Sequence, residues 1–479
     1  MKIKYLFVLA LGLGILGSCT EEDLNPTLGQ DKSIETSINT VNDLQAVLIG
    51  AYDRLSETES FGRDIIILGE VFSDNTYSNA NSNRFVREAE MDLLVTTTTA
   101  ETLWQQMYRV IGSANVVIAA EGIEGEQAAI DIIKGQAYAL RGLAHFVLVQ
   151  FYGQQHVNDG GLNALGVPYV TSFRDNDNLF PPRNTVSEVR DLVYADLETA
   201  QDLLPAGAGT SSEFISNLAA VALEARVANY FGDFPRSLTA AKTVIDSGAF
   251  AVVSEDGFLA SFGTDGGVNK IFEVAFTATD NPGINGLANI YQAGSYGDVV
   301  ALPNLAAIYS EDDIRGVHAY DPDIAQSSPD YVAPETVIGV TPTGTYRNIG
   351  KYPSTAPYED NVPLIRYEEI VLIYAEALLE TGSPAEALTW LNLIPENRGA
   401  DLFTVASKDN ILLERRKELA FEGFRFHDLV RTGKDIPLPD PLLQTHGGPD
   451  YGSYNLALPI PAAEADANAN VPQNFGYGN

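Results

Sequence analysis

The sequence predicts a mainly α fold of stacked antiparallel helical hairpins with an irregular, loop-rich lobe. Three observations point there. Apolar residues recur at helical spacing over most of the chain, as in Leu103, Met107, Val110, Ile111, Ala114, Val117 and Ile118. One junction occurs twice: Ala225 to Leu238 aligns without a gap on Ala375 to Leu388. Residues 249–365 break the pattern, being rich in Gly, Pro, Asp, Asn and Tyr with only short strand-like runs such as Ile271 to Phe276. The bulk numbers agree with a folded, water-facing chain: 479 residues, 45% hydrophobic, 19% charged, formal net charge −35. That charge argues against nucleic acid and against a polyanionic substrate, both of which need clustered Lys and Arg. One cysteine excludes an intrachain disulfide framework and a Cys-based metal site.

The chain opens with Lys2 and Lys4, then an apolar run from Tyr5 to Gly17 that is too short to span a bilayer. Residues 1–18 are expected to be a signal peptide. Leu16-Gly17-Ser18-Cys19 resembles the bacterial lipoprotein cleavage box, in which the Cys thiol and new amine are acylated. Residues 19–38 then form a lipidated tether, with the acidic Glu21, Glu22 and Asp23 resembling a surface-export signal. Gly12-x-Gly14-x-x-Gly17 matches a dinucleotide fingerprint only literally, since it lies inside the signal.

From Thr40 the pattern is helical, and residues 39–479 read as one domain. Thr40-x-x-Asp43, Thr98-x-x-Glu101, Thr185-x-x-Glu188 and Ser383-x-x-Glu386 are capping boxes in sequence, each before an apolar-periodic run. Helices are expected near 40–57, 99–121, 126–152, 185–204, 214–231, 235–247, 366–381, 384–394 and 410–432, with Pro395 stopping the eighth by Ile394. In the repeated junction a helix ends at Gly232 or Gly382, a capping residue follows (Asp233, Ser383), and Pro235 or Pro384 starts the next helix. The unit resembles a tetratricopeptide hairpin without that family's full pattern. The scaffold is then about 39–248 and 366–434, the variable lobe 249–365, and the closing segment 435–479. Residues 60–97 share the lobe's irregular character.

The run Ile411 to Lys434, containing Glu414-Arg415-Arg416-Lys417-Glu418-Leu419-Ala420-Phe421-Glu422-Gly423-Phe424-Arg425-Phe426-His427-Asp428, resembles the signature of the SusD/RagB family of Bacteroidetes outer-membrane lipoproteins. Arg366-Tyr367-Glu368-Glu369 through Ala377, Ala139 to Gly153, and Leu456 to Pro461 followed by Asn474 and Gly476-Tyr477 fit other blocks of that family in order. The resemblance implies a helical scaffold of four repeat-like helix pairs and a glycan ligand, or in some members a peptide, as in RagB. It also implies a SusC-like TonB-dependent transporter that the lipoprotein covers as a lid. Read from the residues alone, the signature is scaffold: Leu412, Leu419, Phe426 and Val430 share a stripe, with Glu422–Arg425 and Asp428–Arg431 pairing on the surface.

No catalytic motif is present. The five His lack metal-ligand spacing, and neither a Gly-x-Ser-x-Gly elbow nor a P-loop occurs. Asp175-Asn176-Asp177-Asn178 has oxygen ligands for calcium but not the loop pattern, and reads as a solvated turn. No cofactor or metal is expected, and the chain reads as a binder rather than an enzyme. Sugars need aromatic faces plus amides, acids and Arg for hydroxyls. Trp104 and Trp390 sit in helices and read as core. Tyr77, Asn79, Asn81, Asn83 and Arg84 form one ligand-binding cluster; Tyr291, Gln292, Tyr296, Asp298 and Tyr320 form another. The expected function is a cell-surface oligosaccharide-binding lipoprotein that delivers its ligand to the transporter. A peptide binder and a helical-repeat adaptor without soluble ligand are the alternatives.

Overall fold

The computed structural model describes residues 38–174, 177–293, 296–324, 328 and 333–478. Cys19, the signal segment and Asp175-Asn176 lie outside the described residues. The first half builds α1 (Val41–Ser56), α2 (Asp64–Val71), β1 (Thr76–Ser78), α3 (Val86–Ala89), α4 (Thr98–Ala119), α5 (Gln127–Tyr152), α6 (Val186–Leu203), α7 (Asn217–Phe231) and α8 (Phe234–Asp246). The lobe contributes β2 (Lys270–Val274), α9 (Leu287–Tyr291), β3 (Val299–Ala301), α10 (Pro303–Ala306), β4 (Val317–Ala319), β5 (Ile338–Val340), β6 (Tyr346–Asn348) and β7 (Val362–Arg366). Then come α11 (Tyr367–Glu380), α12 (Pro384–Glu396), α13 (Lys408–Glu418), α14 (Arg425–Arg431) and α15 (Ala462–Ala467).

The long helices pack in series. α1 lies on α4, α4 on α5, α5 on α6, α6 on α7, α7 on α8, and α8 directly on α11 across the inserted lobe, with α12 and α13 against α11. The fold is mainly α and built of stacked hairpins. Both repeated junctions close by the same bond: Asp233 N–H donates to Ala228 O at 2.9 Å and Ser383 N–H to Leu378 O at 2.8 Å. Gly232 (φ +73°) and Gly382 (φ +92°) supply the left-handed residue each turn requires.

Thr40 and Thr185 form complete capping boxes. The other two do not. α4 begins one residue early because Thr97 is its N-cap, and the Thr97 hydroxyl accepts from Leu94 N instead. Ser383 makes no side-chain cap, and its N–H closes the preceding helix. α12 also runs past Ile394 to Glu396. Pro395 removes one donor in the last turn, and Asn397 N–H to Ile394 O and Arg398 N–H to Pro395 O, both 3.0 Å, carry the chain onward.

The largest correction concerns 410–432, which is two helices. The chain breaks after Glu418, with Phe421 (φ +69°) and Gly423 (φ +83°) left-handed. The cause is a backbone-to-backbone contact with α2: a Cβ on Gly69 would stand 2.0 Å from Gly423 O, and Gly423 N–H donates to Glu70 Oε1 at 2.9 Å. The break also points the acids inward. Glu422 pairs with Lys351 (2.6 Å) and Arg366 (2.8 Å), not with Arg425, which reaches Asp74 at 2.6 Å. Asp428 and Arg431 do pair, at 2.8 Å, but buried. Glu418 lies among Arg366 (2.6 Å), Arg398 (2.9 Å) and Arg315 (2.9 Å), and all four are almost wholly buried. Burial pushes the Glu418 carboxyl up, yet the guanidiniums of Arg398, Arg366 and Arg315 prevail and hold it well below the usual carboxylate range.

The lobe is more regular than its composition suggests. β2 and β7 pair antiparallel, and a five-stranded sheet runs in the order β1-β3-β6-β5-β4. Because β1 comes from residues 60–97, the two irregular regions of the sequence share one sheet. The closing segment docks on the end of α5: Leu458 N–H donates to Phe151 O at 2.7 Å, and Asn474 Nδ2 to Tyr152 O at 2.9 Å.

Candidate functional site

The two loop clusters separated by some two hundred residues meet as one surface. β1 pairs with β3, setting Tyr77 opposite Val300, and the loop after β1 is latched onto the turn before β3. Asn79 N–H donates to Asp298 O (2.9 Å) and its amide to Gly297 O (3.1 Å); the Asn81 amide donates to Tyr296 O (2.5 Å). Asp298 is fully buried and clamps the loop. Its Oδ1 accepts from Ser82 N (2.8 Å) and Arg84 N (3.3 Å), and its Oδ2 from Ser82 Oγ (2.5 Å). Three non-glycine residues of this short loop, Ala80 (φ +58°), Asn83 (φ +61°) and Phe85 (φ +56°), are left-handed, a conformation that persists only where the surroundings over-determine it.

Side chains with chemistry for hydroxyls crown this frame. The Arg84 guanidinium lies 3.6 Å from the centre of the Tyr296 ring and donates to Ser82 Oγ at 2.8 Å. Asn79, Asn81 and Asn83 are exposed. Across the sheet, the pairing registers place Tyr77, Val300, Arg347, Gly339 and His318 in one row on one face, and Tyr320, two residues beyond His318, shares that face. Gly339 makes room for Tyr320: a Cβ there would stand 2.9 Å from the Tyr320 Cβ. Arg347 sits buried at the centre, donating to Tyr291 O (3.1 Å) and Gly297 O (2.9 Å) near the Asp298 carboxylate; burial lowers its pKa. Burial likewise raises that of Tyr77, which is half-buried.

Two of the sequence-selected residues are not on this surface. Tyr291 is fully buried, its hydroxyl donating to Phe421 O (3.2 Å) and its ring stacked on Tyr352; Gln292 is buried and donates to Tyr352 O (3.0 Å). They lie at the end of α9, which turns them into the lobe's core beneath the sheet. Asp298 is a brace rather than a contact. Arg347 and Ser82 were missed. An Arg beside Tyr346 in the lobe was the available signal for the first, whereas Ser82 acts through a partner that only the fold supplies. Trp104 is buried and Trp390 half-buried against Tyr374, both as core. The site thus offers half-buried Tyr rings, exposed amides and the Arg84 guanidinium on a rigid frame braced by the buried Arg347, a set suited to polyhydroxylated ligands.

Comparison with known proteins gives this fold its family. Residues 27–228, which include the latched loop, match a family model described as SusD-like, starch-binding and associating with the outer membrane; residues 343–477, which include Arg347 and the split signature, match the SusD family model. The chain belongs to the SusD/RagB family. Two SusD-like proteins of Formosa agariphila are 27% and 26% identical over 92% and 99% of this chain, covering 93% and 100% of theirs. The starch-binding protein SusD of Bacteroides thetaiotaomicron is 33% identical over 28% of this chain and 24% of its own. Among solved structures, a SusD superfamily protein of the same bacterium superposes with a TM-score of 0.79 at 26% identity, covering 91% of this chain and 99% of that one. A SusD superfamily protein of Bacteroides vulgatus superposes with a TM-score of 0.79 at 25% identity, covering 92% and 100%.

Proposed function

We propose that this protein is a lipid-anchored outer-membrane protein, exposed at the cell surface, that binds an oligosaccharide and passes it unbroken to a SusC-like TonB-dependent transporter. The observation that carries the reading is the single surface formed by Tyr77, Asn79, Asn81, Asn83, Arg84, Tyr296 and Tyr320 around Arg347, within a chain of a family whose matching model is described as starch-binding. The lipoprotein box at Cys19 supports the anchor, and the family supports the transporter. The absence of a nucleophile or metal motif from the sequence supports capture without cleavage.

The test is calorimetric titration of residues 20–479 against neutral oligosaccharides and peptides, repeated with Tyr320→Ala and Asn81→Ala. Heat from one glycan class, reduced at least tenfold in affinity by either variant with an unchanged thermal melt, is the expected result. Heat from peptides alone favours a peptide binder. Silence across the panel, with copurification of the barrel, favours an adaptor.

A further inference from the structure

Away from the sheet face, a cleft enters the helical scaffold between α5, α7 and the α13–α14 turn, with an inner chamber of about 70 Å³. One side is apolar, formed by Phe61, Ile66, Leu143 and Phe146. The other carries three buried polar atoms that have no hydrogen-bond partner among the described residues: Asn229 Nδ2, Arg415 Nη1 and His427 Nδ1. All three residues are more than nine-tenths buried. A native interior satisfies nearly all such groups, so three orphans around one void indicate that something fills it.

The chemistry of the lining selects the occupant. Arg415 Nη1 can only donate, so it faces an acceptor oxygen. The Asn229 amide offers a donor. His427, held neutral by burial with a pKa lowered to about 3, presents one N–H and one lone pair. The hydroxyl group is both donor and acceptor and suits all three. A carboxylate does not, because each charge here is already matched: Arg226 with Glu369 (2.5 Å), Arg415 with Asp428 (2.9 Å), and Arg431 with both Asp428 (2.8 Å) and Glu376 (2.7 Å). One water needs roughly 10–15 Å³, so the chamber accommodates about five to seven non-hydrogen atoms.

We propose that this chamber is a second binding site, separate from the glycan face, for a small neutral three-carbon polyol whose hydroxyls meet Asn229, Arg415 and His427 while its carbon chain lies on the Phe61–Phe146 wall. The site does not depend on the glycan reading. Polyols also stabilise proteins by exclusion, so the measurement must be direct. Saturation-transfer NMR on residues 20–479 with glycerol, acetate and the oversized erythritol is the experiment, repeated with Asn229→Leu inside the chamber and Gln150→Leu at its half-buried mouth. The expected result is saturable contact with glycerol, at least tenfold weaker in both variants, with none for acetate or erythritol. If Asn229→Leu fails to fold, Gln150→Leu decides alone. Absence of saturable glycerol binding overturns the proposal. So does equal binding in the variants, displacement by acetate, or a crystal grown in glycerol whose chamber holds only water.

Discussion

Asp298→Ala tests whether the latched loop belongs to the ligand surface. The substitution removes one buried carboxylate that accepts from Ser82 N, Arg84 N and Ser82 Oγ. Hydrogen bonds to an ionised group contribute about 1.5–3 kcal/mol each. The two backbone bonds alone therefore contribute at least about 3 kcal/mol. Against them stands the left-handed strain at Ala80 and Phe85, about 1–2 kcal/mol per residue. With the clamp these terms roughly cancel; without it only the strain remains, and the latched conformation becomes a minor one. A ligand that requires it then binds weaker by the lost population. The expected loss is roughly 30- to 100-fold, equivalent to about 2–3 kcal/mol. Asp298→Asn is the internal control, because the amide oxygen keeps both backbone bonds and its NH₂ faces a Ser82 hydroxyl free to rotate. Hydrogen exchange at Ser82 and Arg84 reports the latch, and glycan titration reports the site. Fast exchange in the Ala variant with affinity unchanged within threefold removes the loop from the ligand surface. Unaltered exchange refutes the clamp itself.

Three other perturbations follow from the same structure. Glu418→Gln leaves the buried guanidiniums of Arg315, Arg366 and Arg398 short of a counter-charge and should lower stability by about 3–5 kcal/mol, read from the urea midpoint. His145 donates from Nδ1 to Arg141 O (2.9 Å) and accepts at Nε2 from Val170 N (3.0 Å), and burial lowers its pKa to about 3. The unfolded chain therefore binds the extra proton first, and stability present at pH 7 should fall as pH drops from about 6.5 toward 3; His145→Gln should flatten that slope in pH-dependent unfolding. Cys19→Ala should abolish acyl mass on the protein isolated from membranes, and native acyl mass in the variant removes the anchor assignment.

The sequence discloses the scaffold because stacked hairpins are written locally. Apolar spacing marks each helix, and the Gly-cap-Pro junction reappears in the structure as the same bond at Asp233 and Ser383. What stays hidden depends on partners far along the chain. Nothing within Ile411 to Lys434 except Gly423 signals a break, and the break is imposed by Gly69, three hundred and fifty residues earlier, where two backbones touch. The acids of that segment look like a solvated helix face under an i, i+3 reading. They are buried because Arg315, Lys351 and Arg366 arrive from the lobe, and no local rule anticipates such cations. The candidate site divides in the same way. Its residue types are visible as two Tyr- and Asn-rich loops, but their union rests on the β1–β3 pairing, and Tyr291 and Gln292 leave the surface because α9 turns inward. The signature and the site are in fact linked through those inward residues. Tyr291 donates to Phe421 O in the split turn, while Arg347 donates to Tyr291 O beneath the sheet face. The family's most recognisable segment therefore lies two hydrogen bonds from the proposed ligand surface and acts on it as support, a role that a scan for ligand-contacting residue types passes over.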